Sequence, residues 1–191
     1  GKPLRRPTWY FDVAQQGEGI VDVTTHLVDL TMWGAFPDRV IHHNRDVEML
    51  EASRWPTVLT PEQFEAITAE PEFPDFLKDQ LVDGELPYYC NGEMLFTING
   101  HHTRISVIWD YKAPEGGNDT HFSMMRGTQA DLVSRQGEEQ NYKPTLYVEP
   151  AEGASRSTVE KALVHEVREL RKEYPGIEID GVESGWKLEI P

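Results

Sequence analysis

Apolar residues recur at helical spacing between residues 19 and 34, where Ile20, Val23, Leu27 and Leu30 fall roughly one turn apart and Gly34 and Pro37 close the run. That pattern predicts a helix. The segment before it, residues 1–16, is rich in Pro and Arg and then aromatic (Trp9, Tyr10, Phe11), which reads as extended chain. Residues 39–52 read as a strand. Thr60 ahead of Pro61-Glu62-Gln63 is a helix start, with a capping hydroxyl and a proline in the first turn, and the helix should run to about Ala69. A further helical turn is expected near residues 74–81.

The middle of the chain changes period from 3.6 to 2. Met94, Phe96 and Ile98 alternate with other residues, Asn99-Gly100 supplies a two-residue turn, and Ile105, Val107, Trp109 and Tyr111 share one face of the returning strand. Strands at 120–126 and 129–135 should meet around Gly127-Thr128, and 144–149 reads as another. Ser157 is placed to cap a helix reaching Tyr174, with Val159, Leu163, Val167 and Leu170 inward, before a strand pair at 177–180 and 185–190. These elements define an α+β fold: a largely antiparallel open sheet of about six strands, helices packed on one face, and the other face left for oligomerisation.

Composition narrows the partners. With 191 residues the chain can bury a substantial core, and 33 acidic against 18 basic residues give a net charge of −15. That balance excludes a nucleic-acid surface, since phosphate binding needs clustered Lys and Arg and the densest basic cluster, Lys2 to Arg6, lies in the leading segment. The single cysteine, Cys90, excludes an intrachain disulfide framework and a cysteine-rich metal site. No apolar run approaches the ~18 residues of a membrane span. Gly1 in first place is what a cloning scar would leave, so the chain reads as a piece of a longer protein.

The candidate chemistry lies in the first helix. Asp22, His26 and Asp29 stand at i, i+4 and i+7 and share one helical face. A carboxylate one turn before an imidazole can bond it and fix its tautomer, as a general acid/base requires; the same spacing serves a core histidine satisfied by its neighbour. Other motifs are weaker. Gly17-Glu-Gly19-Ile-Val-Asp22 lacks the third glycine of a dinucleotide fingerprint. His42-His43 and His101-His102 are adjacent pairs whose side chains diverge, so no metal site is expected. No Gly-x-Ser-x-Gly elbow is present.

Three stretches together resemble the carboxy-terminal domain of the Gfo/Idh/MocA family, the glucose–fructose oxidoreductase and inositol dehydrogenase group. They are Thr8-Trp9-Tyr10-Phe11-Asp12 leading to Gly17-Glu-Gly19, then Asp22-x-x-x-His26-x-x-Asp29, then Met124-Met-Arg-Gly127-Thr128-Gln-Ala-Asp-Leu-Val133. The resemblance implies that residues 1–191 are the substrate-binding and oligomerisation domain of a two-domain NAD(P)-dependent oxidoreductase acting on a sugar or polyol. Its amino-terminal Rossmann domain, which would bind NAD or NADP and offer a lysine to the histidine, is absent here, so the isolated domain is expected to be inactive. No metal is implied. His26 would be the acid/base, Asp22 would orient and tune it, and Trp9, Tyr10, Asp12 and Asp29 would contact substrate. Two alternatives stay open: an NAD-dependent glycoside-cleaving or dehydrating enzyme of the same family, and a non-catalytic binding or assembly module. Two positions depart from the family pattern, Glu18 in place of a glycine and Thr24 in place of another.

Overall fold

The computed structural model describes residues 3–191; Gly1 and Lys2, the first member of the basic cluster, lie outside it. The leading segment is not extended throughout. Thr8–Phe11 forms a 3-10 turn and Val13–Gln16 a short helix, α1. Asp12 stops the first and starts the second, because its carboxylate accepts the Ala14 N–H at 2.9 Å. Helix α2 (Ile20–Ala35) follows where the apolar period predicts it. The strand expected over 39–52 begins late: residues 43–46 turn once as α3 (His43–Asp46), since the Asp46 carboxylate accepts the His42 N–H and pairs with Arg45. Only then does β1 (Val47–Leu59) start.

Local signals hold best in what comes next. Helix α4 (Pro61–Thr68) carries a full capping box: Thr60 Oγ1 accepts the Gln63 N–H, and the Gln63 side chain accepts the Thr60 N–H in return. Ala69 ends it in the left-handed region at φ 68°. After the single turn α5 (Asp75–Lys78) comes β2 (Leu86–Ile98), which continues through Asn99 and Gly100, both at positive φ, into β3 (His101–Val107). Two positive φ values in succession are what a type I′ hairpin requires. The strand stops at Val107. Trp109 and Tyr111 lie beyond it and pack against the aromatic core instead of extending the sheet.

Strands β1, β2 and β3 make one antiparallel sheet in that order. Over it lie two cores. Phe96, Ile98, Ile105 and Val107 receive Leu27, Val28 and Met32 of α2, while Tyr10, Phe11, Leu59, Phe64, Ile67, Leu77, Leu86 and Tyr88 form a second core with α4 and α5. Cys90 belongs to the second; its Sγ donates to the Tyr88 carbonyl at 3.1 Å, and burial pushes its thiol pKa up. Asn91 is buried yet satisfied, donating to Thr57 and accepting the Trp109 N–H.

Contacts group residues 1–113 into this unit and 114–191 into a second. The second holds β4 (His121–Arg126), β5 (Ala130–Gln136), β6 (Thr145–Pro150), helix α6 (Arg156–Leu170), β7 (Glu178–Val182) and β8 (Gly185–Glu189). Its antiparallel sheet has the order β4-β5-β6-β8-β7. The chain is thus α+β with open antiparallel sheets, and its strands divide three and five between two of them. Ser155, not Ser157, precedes α6, and Leu170 at its end is exposed, while Val159 and Val167 are buried against Val148, Trp186 and Leu188. Among the described residues no helix is long and apolar enough to cross a membrane.

One side chain closes the second unit. The Arg156 guanidinium lies 4.8 Å from the Trp186 ring centroid and donates to the carbonyls of Val182, Glu183 and Gly185 at 3.0–3.1 Å, so it staples the β7–β8 turn to α6. Arg156→Ala should destabilise this unit by about 1–2 kcal/mol in urea unfolding, and Arg156→Lys should recover little, because an ammonium cannot span three carbonyls while stacking on an indole. Full stability in Arg156→Ala would show that the turn holds itself.

Candidate active site

The site is built on α2, and what matters first is how that helix is seated. Gly19, just before it, lies so close to Tyr88 that a Cβ there would stand 2.3 Å from the tyrosine ring. On the strand beneath, a Cβ on Gly92 would meet Ile20 Cδ1 at 2.1 Å and the Ser53 carbonyl at 2.9 Å. The helix therefore rests where two side chains are missing. Gly17, at φ 80°, makes the turn from α1 that delivers the chain there.

This seating fixes the rotation of α2. Ile20, Thr24, Leu27, Val28 and Met32 face the sheet, and Thr24 is buried with its hydroxyl donated back to the Ile20 carbonyl. Thr24 thus points away from His26. On the opposite side Asp22, His26, Asp29 and Trp33 fall within an arc of about 60°. His26 and Asp29 are exposed, Asp22 is half-buried, and Trp33 is 71% exposed, with Val23 and Leu30 open beside them.

Asp22 and His26 share this face, but their side chains are not joined. The Asp22 Oδ2 accepts the Tyr10 hydroxyl at 2.7 Å and lies 3.8 Å from the Arg6 guanidinium, which itself sits 4.5 Å from the Tyr10 ring centroid. Among the described residues the His26 side chain makes no hydrogen bond or ion pair. Tyr10 is buried beside Phe11 and Tyr88. Burial, then the Asp22 hydrogen bond and charge, push its pKa up to about 12. Asp12 spends its carboxylate on Ala14 and Gln15, and Trp9 is half exposed at 48%. Asp29 is exposed one turn beyond His26.

Three residues that the sequence pattern passes over complete the neighbourhood. Arg6 reads as part of a basic loop, yet holds Asp22. Arg54 reaches from β1 to Glu18 at 3.0 Å and lies 4.3 Å from the Tyr89 ring centroid, across a cleft of about 290 Å³. Glu18 is therefore half of an ion pair. Tyr88 lies beneath Gly19 with its hydroxyl buried and without a hydrogen-bond partner in normal geometry; burial and the nearby Tyr10 hydroxyl raise its pKa far above the usual phenol range. All three act across long sequence separations, which no local pattern records.

Among the described residues the Gly17-Glu18-Gly19 turn does not have the setting of a dinucleotide loop. It joins two helices instead of following a strand, and the space above Gly19 is filled by Tyr88. Among the described residues no group of three His, Cys, Asp or Glu side chains could hold a metal ion.

The family model described as "Putative oxidoreductase C terminal domain" matches residues 1–191. A solved structure, described as a putative oxidoreductase from Parabacteroides merdae ATCC 43184, is similar at 50% identity with a TM-score of 0.93. The match covers 99% of this chain and 43% of that one, so the chain spans less than half the length of that relative. No curated protein matches.

Two measurements test the tyrosines. A folded-state pKa above the ordinary value near 10 means that the protonated Tyr10 phenol is the stabilising form. Its contribution should be whole below about pH 10 and lost as pH rises through about 12, with phenolate absorbance following the same course and Tyr10→Phe removing that transition. Tyr88→Phe should leave the unfolding midpoint unchanged or raise stability by up to about 1 kcal/mol, since it removes a buried hydroxyl with no hydrogen-bond partner in normal geometry. A clear loss would mean that the hydroxyl has a partner.

Proposed function

This chain belongs to the oxidoreductase carboxy-terminal domain family, and on that footing we propose that it is the substrate-binding domain of an NAD(P)-dependent oxidoreductase acting on a sugar or polyol, with His26 as its acid/base. The Gfo/Idh/MocA placement agrees with that family. The observation that carries the reading is the exposed, unpaired imidazole of His26 on a helix whose rotation is fixed by Gly19 and Gly92.

An acid/base must reach the reacting hydroxyl and have a free ring nitrogen to bond it. His26 is exposed, and among the described residues its ring nitrogens bond no protein group. Asp29, one turn on and exposed, is placed to accept a second hydroxyl, as a substrate with adjacent hydroxyls would offer. In this reading hydride acceptance belongs to a nicotinamide held by an amino-terminal Rossmann domain, and the Gly17-Glu18-Gly19 turn, which joins two helices, takes no part in holding it. The part played here is the proton. The imidazole takes it from the hydroxyl as the carbon is oxidised and returns it in the reverse direction.

The test uses the intact parent protein. Denaturation should release NAD(H) or NADP(H), or the folded protein should bind added cofactor, and His26→Ala should lower turnover about 10²–10⁴-fold across a panel of sugars and polyols without loss of nicotinamide. Cofactor retained through turnover would favour the glycoside-cleaving or dehydrating reaction. No nicotinamide, or full activity in His26→Ala, would leave a binding or assembly module.

A further inference from the structure

Asp22 has the spacing to pair with His26, one turn away on the same face, yet its carboxylate is engaged elsewhere. The Tyr10 hydroxyl holds Oδ2 at 2.7 Å, and Arg6 adds its charge at 3.8 Å while covering the Tyr10 ring. Tyr10 cannot readily follow a moving carboxylate. It is 4% exposed, edge-on to Phe11 and in ring contact with Tyr88, and these lie in the aromatic core that also holds Phe64 and Leu59. The segment that carries it is tied down in turn, since the Arg6 N–H donates to the Ile67 carbonyl at the end of α4.

We propose that Tyr10 is a positioning residue which, with Arg6, holds the Asp22 carboxylate out of a pair with His26, so that the Tyr10 hydroxyl sets the proton affinity of the imidazole. The significance for catalysis rests on His26 being the acid/base; the contact itself does not. An imidazole tied to a carboxylate retains its proton, whereas an unpaired one is more readily neutral and free to accept a hydroxyl proton. The charged groups around His26 are Asp22 and Asp29 on its own helix, with Arg6 reaching Asp22 from the leading segment. Strands β2 and β3 pack on the other side of α2. There the Glu18–Arg54 pair lies at one end, and His101 meets Phe36 at the other.

The experiment is an NMR titration of the His26 ring protons in the 191-residue chain, assigned by their loss in His26→Gln. Tyr10→Phe keeps the packed ring and releases only the hydroxyl. It should raise the His26 midpoint by about half a pH unit or more, as the freed carboxylate turns to the imidazole. Adding Asp22→Asn to Tyr10→Phe should cancel that rise. Asp22→Asn alone should move the midpoint by less than Tyr10→Phe does, because the carboxylate it removes is turned to Tyr10 and Arg6 instead of His26. The proposal is overturned if Asp22→Asn alone lowers the midpoint by as much, which would show an existing pair, or if Tyr10→Phe leaves it unmoved. Should Tyr10→Phe fail to fold, the Asp22→Asn arm still decides. The titration reads His26 whatever reaction the parent protein performs, so its failure is distinct from the absence of nicotinamide or of a His26→Ala effect.

Discussion

Helix α2 can lie where it does only because two side chains are missing, one at Gly19 and one at Gly92. With a methyl group at Gly19 the Tyr88 ring would have to give way, and with one at Gly92 Ile20 and the Ser53 carbonyl would, and packed interiors absorb such shifts poorly. The rest of the site follows from that seat. It sends Ile20, Thr24 and Leu27 into the sheet and puts His26, Asp29 and Trp33 on the outer side. It also brings Asp22 within reach of the leading segment, where Tyr10 and Arg6 take it. Gly19, which in the sequence looks like part of an imperfect phosphate loop, is thus a steric device for docking a helix, and Gly17 makes the turn that leads to it.

How much of this was legible depended on range. The Thr60 capping box and the Asn99-Gly100 turn are written within four residues, and both formed as the pattern implied. The boundaries of α2 and of the strands in the second unit followed from periodicity in the same way. The extent of β1 did not. Its outer residues Met49, Leu50, Trp55 and Val58 are exposed along an edge, so the apolar signal that marks a buried strand is blurred, and irregular pairing near Met49 and Trp55 interrupts the alternation. The division of strands between two sheets is likewise a matter of pairing partners, which spacing along the chain does not encode.

The site shows the same limit. Periodicity put Asp22, His26 and Asp29 on one face, and they are on one face; it could not say which way that face turns. Val23 and Leu30 are apolar and exposed, while Thr24 is polar and buried, so hydrophobicity alone points α2 in the wrong direction. What decides is shape, through Ile20 against Gly92 and Gly19 against Tyr88. The engagement of Asp22 is harder still to foresee. Residues 6, 10 and 22 meet only after the 3-10 turn and α1 have folded the leading segment back, and the extended reading of that segment removes the contact altogether.

The solitary thiol gives this arrangement a built-in clock. Cys90 lies in β2, two residues from Tyr88 and two from Gly92, inside the part of the sheet on which α2 depends. Its burial and raised pKa leave almost no reactive thiolate at the surface, so alkylation must wait for the strand to open. Residues 114–191 contain no cysteine to confuse the signal. The labelling rate of one sulfur atom therefore reports how often the platform beneath His26 comes apart.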